Sequence, residues 1–235
     1  MTTLASTCDT TFRPSAPARP WELRVVYEDA SMIVLDKPSG CLSVPGRGPD
    51  KQDALATRVQ ARWPEARVVH RLDMDTSGLM IMARGLGAQQ RLGAAFEARQ
   101  VHKTYLALVL GHPNTPNAEV WHTIDLPLIV DWPNRPRSKV CPVHGKPSLT
   151  RWRKLDDPNV PVDASRLELR PITGRSHQLR VHLQAIGHPI VGDPLYAAPG
   201  TSPPWAKRLM LHASRLELPH PDKGQPMCFE AACPF

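Results

Sequence analysis

Residues 68–83 constrain the fold of this chain more than any other stretch, because a cluster of polar side chains lies between two apolar segments. The cluster holds an arginine, two carboxylates and two hydroxyls, ends at Gly78, and is followed by a continuous apolar run. The length and flanks of that run predict a buried strand. A buried carboxylate costs free energy unless it is paired, so Asp73 requires a cation. In an extended segment Arg71 would share a face with it.

The residues alone leave two interpretations of this cluster open. Asp, Thr, Ser and Gly together are ordinary turn residues, which favours a loop without chemistry. A polar cluster fixed between two buried segments also suits a functional site. The order of the residues is more specific than their types, since His-Arg-Leu-Asp at 70–73 is followed by Thr-Ser-Gly-Leu at 76–79.

The composition favours a globular chain with a polyanionic partner. The chain has 235 residues, enough for one large domain or two small ones, and 41% of them are hydrophobic. Lys and Arg number 29 against 22 Asp and Glu, giving a net charge of +7 and a pI near 9.4. Nucleic acid is the commonest partner of such a chain, although a solvated basic surface is the alternative.

The cysteines and the apolar runs indicate a cytoplasmic protein. No C-x-x-C pair occurs, so we expect neither a disulfide framework nor a metal site. No run reaches the roughly 18–20 apolar residues of a membrane span, and the N-terminus lacks a signal-peptide core. We therefore expect no contact with a membrane. The five scattered cysteines are Cys8, Cys41, Cys141, Cys228 and Cys233.

The rest of the chain reads as one α+β domain. Residues 1–20 are poor in large apolar side chains and are predicted to be a flexible tail. Helical spacing predicts helices over residues 53–63 and 86–100. Residues 103–110 are apolar on both faces, which predicts a central strand. Short strands without regular βα alternation predict a single domain over residues 21–235.

Residues 111–147 form an irregular insert with an unusual composition. Prolines, Trp121 and Trp132 alternate with basic residues that include Arg135 and Arg137. Long irregular segments in compact domains are usually functional or disordered. Aromatic rings stack on splayed bases while cations hold phosphates, so we predict an RNA-recognition insert in which Arg135 and Arg137 bind phosphates.

Helical spacing from residue 176 onward places Arg175 at the N-terminus of a helix. A cation is unfavourable there because it opposes the helix macrodipole. We infer that Arg175 is held by a negative group.

Several separated stretches resemble the RluA-type RNA pseudouridine synthases in order and spacing. The resemblance extends over about residues 25–220. It implies a pseudouridine synthase catalytic domain with a mixed, mostly antiparallel sheet, flanking helices and a central RNA-binding cleft. It also implies no S4-type RNA-binding domain, for which the first 20 residues leave no room. The stretches that carry the resemblance are residues 36–46, 70–79, 103–109, 174–182 and 187–196.

The resemblance also implies roles for individual residues. Asp73 is implied as the nucleophile, Tyr105 as the ring that stacks on the target uracil, and Arg175 as the cation paired with Asp73. Arg71 is implied to fill the gap left by the flipped nucleotide. Leu211 is implied to line the pocket.

Further expectations concern neighbours of these residues. His70 begins the central motif and is expected to contact the RNA. Asp75 is expected at a variable, exposed position near enough to influence the pKa of Asp73. Residues 36–46 are implied to support the floor of the cleft.

The reaction implied by the resemblance is the isomerisation of uridine to pseudouridine. The C1′–N1 bond breaks, the uracil turns and C5 joins C1′; since nothing is gained or lost, no cofactor is expected. The implied partners are tRNA and 23S rRNA stem-loops, with uridine 32 of tRNA anticodon loops and uridine 746 of 23S rRNA as targets of a monomeric enzyme. The residues leave open whether Asp73 attacks C1′, attacks C6 or assists removal of a ribose proton.

Two other functions fit parts of the sequence. A glycosidase-like hydrolase would use Asp73 with Asp75, which are roughly 6.6 Å apart along an extended backbone. A non-catalytic RNA-binding or ribosome-assembly factor would use the cluster only as structure.

Overall fold

The computed structural model describes residues 21–115 and 120–235, and the tail predicted for residues 1–20 lies outside them. The helices are α1 (Leu55–Arg62), α2 (Leu86–Glu97) and α3 (Gln178–Ala185), with 3-10 turns at Pro49–Lys51 and Trp132–Asn134. The strands are β1 (Arg24–Glu28), β2 (Met32–Lys37), β3 (Ala66–Val68), β4 (Ser77–Arg84), β5 (His102–Leu110), β6 (His122–Asp125), β7 (Leu128–Val130), β8 (Ser138–Val140), β9 (Leu149–Leu155), β10 (Ala164–Pro171), β11 (Leu211–Pro219) and β12 (Pro226–Glu230).

One mixed sheet organises the described part of the chain. Its order is β1-β2-β4-β11-β5-β10-β9-β6, with β3 paired to β4 and β12 paired to β11. The β4–β11 pair is parallel and the other pairs of this sheet are antiparallel. The predicted α+β class with a mixed, mostly antiparallel sheet and flanking helices is therefore confirmed.

Strand β4 is buried on both faces, which explains its continuous apolar sequence. Met80 and Met82 pack on one side with Leu55 of α1, while Leu79 and Ile81 pack on the other side in the cluster that includes α2. Because α1 and α3 contribute to the same core cluster, they cover one face of the sheet and α2 covers the other.

The insert at residues 111–147 contains more regular structure than its sequence pattern predicted. It includes β6 and a small separate hairpin of β7 and β8. Each strand of the hairpin has three residues, too few for an alternating pattern to be visible. The hairpin packs against α3, where Leu128, Val181 and Tyr196 form a small apolar cluster.

No α-helix in the described ranges is long and apolar enough to cross a membrane.

The turn from the polar cluster into β4 depends on Gly78. Its φ is 107°, a region that favours glycine, and it lies opposite Ala213 in the parallel β4–β11 pair. A Cβ atom at this position would lie 2.3 Å from the Ala213 carbonyl oxygen. The two strands can therefore approach this closely only because residue 78 has no side chain.

We expect Gly78→Ala to lower the free energy of unfolding by at least about 2 kcal/mol, because both the backbone angle and the β4–β11 spacing must change. The matched control is Gly93→Ala in α2, where an added Cβ meets no atom within 4 Å. That control should raise stability by about 0.5–1 kcal/mol. Urea unfolding of both variants measures the difference, and equal stabilities would contradict the close pairing at Gly78.

Candidate active site

A cleft of about 330 Å³ opens beside the start of β4. Strands β4, β11 and β5 are neighbours, so the loop before β4 lies next to Leu211 at the start of β11 and Tyr105 in β5. The turn into α3 closes the other side. Six of the eight predicted site residues line this cleft: His70, Arg71, Asp73, Tyr105, Arg175 and Leu211.

The cation beside Asp73 is Arg180, not the predicted Arg175. Arg180 Nη1 lies 3.6 Å from Asp73 Oδ2, and the Asp73 side chain is 29% exposed. No ion pair joins Asp73 to Arg175 or Arg71 in the part of the chain that the structure describes. The predicted Asp73–Arg175 pairing and the pairing suggested for Arg71 are therefore wrong in this structure.

The position of helix α3 explains this difference. The helix begins at Gln178, so Arg175 lies in the preceding turn and is exposed at the rim of the cleft. Its Nε donates a long hydrogen bond to the Pro147 carbonyl at 3.4 Å, and its backbone N–H donates to Gln178 Oε1. Arg180 lies within the first turn and faces inward. Among the residues that the structure describes, no negative group contacts Arg175 as was expected.

Asp193 fixes the Arg180 guanidinium with two hydrogen bonds. Arg180 Nε donates to Asp193 Oδ2 at 2.8 Å and Nη2 donates to Oδ1 at 2.7 Å. The side chains are 2% and 0% exposed, and the backbone N–H groups of Leu195 and Tyr196 also donate to Asp193. Burial opposes the charge of Arg180, but its hydrogen bonds to Asp193 and the charges of Asp193 and Asp73 together raise the pKa of Arg180.

His177 approaches the second oxygen of Asp73. Its Nε2 lies 3.9 Å from Asp73 Oδ1, while its Nδ1 is 2.8 Å from the Tyr196 hydroxyl. Burial lowers the pKa of His177. Asp73 is thus flanked by one buried guanidinium and one largely buried imidazole.

Residues 37–43 hold the loop that carries Asp73. Lys37 is fully buried, and its Nζ donates to the carbonyls of Pro38, Cys41 and Met74 at 2.7–2.9 Å. Burial lowers the pKa of Lys37 to about 8.

Two serines extend this contact along the loop. Ser39 Oγ donates to the Asp75 carbonyl at 2.7 Å, and Ser43 Oγ donates to the Leu72 carbonyl at 2.6 Å. The backbone on both sides of Asp73 is therefore tied to residues 37–43, which agrees with the supporting role expected for residues 36–46.

Tyr105 and Leu211 provide the apolar part of the cleft. Both are buried, and burial followed by the charge of Asp73 raises the pKa of Tyr105. Tyr105 is therefore a neutral phenol. Arg71 is exposed at the opening and has no ion pair within the described residues.

His70 faces the cleft but has a structural contact of its own. Its Nε2 accepts a hydrogen bond from the Ile81 N–H at 3.0 Å, and its ring lies 4.9 Å from the Phe96 ring. Burial, followed by the charge of Lys103, lowers the pKa of His70 to about 3. Its imidazole is neutral, and its Nε2 already accepts a hydrogen bond from the backbone of β4.

Asp75 does not have the exposed position that was expected. It is half-buried, and burial raises its pKa.

Arg135 and Arg137 lie outside the cleft, at the exposed tip of the β7–β8 hairpin. The Arg135 guanidinium stacks on the Trp132 ring, with 4.2 Å from Cζ to the ring centroid, and Trp132 is 65% exposed. Asp131 stabilises the tip. Its carboxylate accepts a hydrogen bond from Asn134 Nδ2 and forms an ion pair with Lys139, with 3.0 Å between Asp131 Oδ1 and Lys139 Nζ.

Sequence reasoning missed several residues that complete the site. Arg180 and His177 lie inside a stretch that carried the resemblance. Arg180 had a signal, a charged residue between the apolar helix positions Leu179 and Val181, whereas His177 had none. Asp193 was visible only as an acid in a turn-rich loop. The residues missed were Lys37, His177, Arg180, Asp193 and Tyr196. The described ranges contain no group of histidine, cysteine or acidic side chains arranged to hold a metal ion.

Comparisons with known proteins agree on one family. A family model described as RNA pseudouridylate synthase matches residues 31–185. The dual-specificity RNA pseudouridine synthase RluA of Escherichia coli (strain K12) is 46% identical over 219 residues, 93% of this chain and 96% of the relative. RluA of Vibrio vulnificus (strain CMCP6) is 48% identical over 207 residues, 87% and 80% of the two chains. The solved human RNA pseudouridylate synthase domain containing 1 has a TM-score of 0.74 at 30% identity, covering 94% and 87%.

We expect the free energy of unfolding to fall less steeply with decreasing pH in His70→Gln than in wild type. The unfolded imidazole binds a proton near pH 6.5, whereas the folded one resists protonation until about pH 3. Between these values the unfolded state binds more protons, so stability falls as pH falls. His70 accounts for about 1.5 kcal/mol of that loss from pH 6.5 to 5.

Urea unfolding at pH 7, 6 and 5 measures this effect. A glutamine oxygen preserves an acceptor for the Ile81 N–H, and His144→Gln, at an exposed histidine, is the matched control. An unchanged acid slope in His70→Gln would indicate that His70 is charged in the folded protein.

Proposed function

The chain belongs to the RluA-type family of RNA pseudouridine synthases, and from this membership we propose that Asp73 is the carboxylate with which it isomerises uridine in structured RNA. The chain is therefore an isomerase. Neither the hydrolase nor the non-catalytic assembly factor that the sequence left open agrees with this membership. The observation that carries the proposal is the position of Asp73 in the cleft, 3.6 Å from a buried guanidinium.

Asp73 can act only as a carboxylate. A cleft that excludes water disfavours the charged form, and an opposite charge within about 4–6 Å favours it. Arg180 supplies that charge, and its two bonds to Asp193 keep it from moving toward solvent. The same carboxylate serves attack at C1′, attack at C6 or removal of a ribose proton.

Tyr105 and Leu211 are suited to hold the uracil while it is detached from the ribose. A buried aromatic ring gives a base a stacking partner worth about 1–3 kcal/mol. Tyr105 contributes no charge because its phenol keeps its proton. The detached base can then turn and present C5 to C1′, with the C5 proton leaving and N1 gaining one.

Arg71 is suited to occupy the place of the target nucleotide in the RNA. The enzyme must extrude the uridine from a stacked loop, which costs a few kcal/mol. Arg71 is exposed at the opening of the cleft, and no ion pair within the described residues restrains its guanidinium. Arg175 lies at the same rim and provides a second cation for the RNA backbone.

The β7–β8 hairpin, together with the rest of the insert at 111–147, is proposed as the RNA-recognition element. Its tip presents Trp132, Arg135 and Arg137 to solvent. Exposed rings and guanidinium groups in one place favour stacked bases and phosphates. We propose tRNA anticodon stem-loops and a 23S rRNA hairpin as substrates, because loops of similar shape can be read by the same surface.

Asp73→Asn is expected to abolish the reaction while leaving RNA binding largely intact. The measurement is tritium release from [5-³H]uridine in transcripts of a tRNA anticodon stem-loop and of a 23S rRNA hairpin. Wild type should release tritium from both transcripts and Asp73→Asn from neither. Asparagine removes the nucleophile but preserves the size of the side chain.

Asp75→Asn is the matched control, since it makes the same change two residues along the loop. It should retain most of the wild-type rate. Full release by Asp73→Asn would refute the role of Asp73, and release of free uracil by wild type would instead indicate hydrolysis.

We expect Arg135→Gln/Arg137→Gln to weaken RNA binding and to reduce its salt dependence. Each phosphate contact contributes a slope of about 0.7–0.9 to the plot of log affinity against log salt, so losing two should reduce the slope by about 1.5. Filter binding of the stem-loop at several salt concentrations measures this.

The control for net charge is Arg24→Gln/Arg62→Gln, at two exposed arginines of β1 and α1. It should leave the slope near that of wild type. Equal slopes in all three proteins would show that the hairpin does not bind phosphates.

A further inference from the structure

We propose that His177 and Tyr196 act as a positioning pair for Asp73, in which Tyr196 fixes the imidazole so that His177 Nε2–H is directed at the free oxygen of the carboxylate. The inference rests on the proposed role of Asp73 and assigns two residues to its orientation.

The hydrogen bonds around Tyr196 determine which nitrogen of His177 carries the proton. The Tyr196 oxygen accepts from the Ser138 N–H at 2.8 Å, and it is also 2.8 Å from His177 Nδ1. Tyr196 is buried, and within the described residues His177 Nδ1 is the acceptor available to its hydroxyl proton. The phenol therefore donates to Nδ1, and a neutral His177 carries its proton on Nε2.

The charges around His177 favour this neutral form. Burial and the neighbouring Arg180 lower the pKa of His177, while the carboxylates of Asp73, Asp75 and Asp193 act in the opposite direction. A second full cation at this point would stand beside a guanidinium that already has two carboxylates as partners. A neutral donor can orient Asp73 without that repulsion.

His177 and Arg180 lie nearest to different oxygens of Asp73. Arg180 Nη1 is 3.6 Å from Oδ2 and His177 Nε2 is 3.9 Å from Oδ1. Both separations exceed the ordinary hydrogen-bond length of about 2.7–2.9 Å for such groups. Hydrogen bonds in an active site commonly shorten when the substrate binds. Two donors on two oxygens would then fix the plane of the carboxylate as well as its charge.

The same pair connects Asp73 with the RNA-recognition hairpin. Ser138 is the first residue of β8, and the exposed tip of that hairpin ends at Arg137. A displacement of the hairpin therefore moves the N–H that holds Tyr196, and through Tyr196 it moves His177.

The backbone at position 177 does not require a histidine. His177 has φ of 55°, a left-handed conformation in which asparagine, aspartate and histidine are all enriched, so the backbone accepts asparagine as well as histidine. Asparagine suits the backbone, but its amide is too short to reach the place of Nε2. Glutamine suits the backbone less well, but its amide can reach that place.

These opposite properties give a direct test. His177→Asn should fold at least as stably as His177→Gln, yet its kcat for the anticodon stem-loop should fall on the order of 100-fold with KM unchanged. The kcat of His177→Gln should be at least tenfold higher than that of His177→Asn. Values of kcat that follow stability instead, with Asn as active as or more active than Gln, would assign His177 to the backbone turn and overturn the proposal.

A spectroscopic readout tests the tautomer without activity. Nitrogen-15 shifts of His177 should show a protonated Nε2 and an unprotonated Nδ1 in wild type at pH 7.5. Tyr196→Phe removes the hydroxyl donor, so it should populate the other tautomer and lower kcat at unchanged KM. A protonated Nδ1 in wild type contradicts the proposal.

The proposed role of Asp73 and the proposed positioning pair of His177 and Tyr196 are tested by different results. Tritium release by Asp73→Asn would refute the role of Asp73 on which the positioning pair depends. An inactive Asp73→Asn protein together with wild-type kcat in His177→Asn would leave the proposed function intact and remove only the positioning pair.

Discussion

The arrangement of the cleft depends on one buried guanidinium. Arg180 lies in a helix that packs on the sheet, and without partners its charge would be expensive to bury. Asp193 accepts two hydrogen bonds from the Arg180 guanidinium, and the backbone N–H groups of Leu195 and Tyr196 donate to that carboxylate in turn. The remaining nitrogen of Arg180 faces Asp73. Losing Arg180 would thus leave two carboxylates without their cation, one of them fully buried.

The backbone that presents Asp73 is restrained from the opposite side by another buried cation. Lys37 donates to three carbonyls, one of them in the Asp73 loop, and neighbouring serines bind the same loop. Arg180 of α3 lies beside the side chain of Asp73, while residues 37–43 hold the main chain on both sides of it. Because these two supports come from distant parts of the sequence, the geometry of the loop is set by the whole fold and not by local turn preferences.

The sequence predicted the local features of the site well and its long-range partners poorly. The apolar run after Gly78 became β4, and the apolar stretch before the insert became β5, since both patterns depend on burial alone. The partner of Asp73 was misassigned because the helix was expected from residue 176 with Arg175 at its N-terminus, whereas α3 begins at Gln178 and Arg180 lies in its first turn. Which of them faces inward depends on the residue at which α3 begins. A left-handed residue immediately before that helix leaves no periodic signal.

The parallel pairing of β4 with β11 has a consequence for synthesis of the chain on the ribosome. Strand β11 (Leu211–Pro219) lies between β4 and β5 in the sheet, although β4 ends at residue 84 and β5 at residue 110. Until it emerges, Ser77 and Gly78 at the start of β4 and the facing edge of β5 lack their partner strand, and the wall formed by Leu211 is missing. A nascent chain therefore cannot assemble the cleft early, and the edge of β5 stays open to wrong pairing until residues 211–219 have been translated.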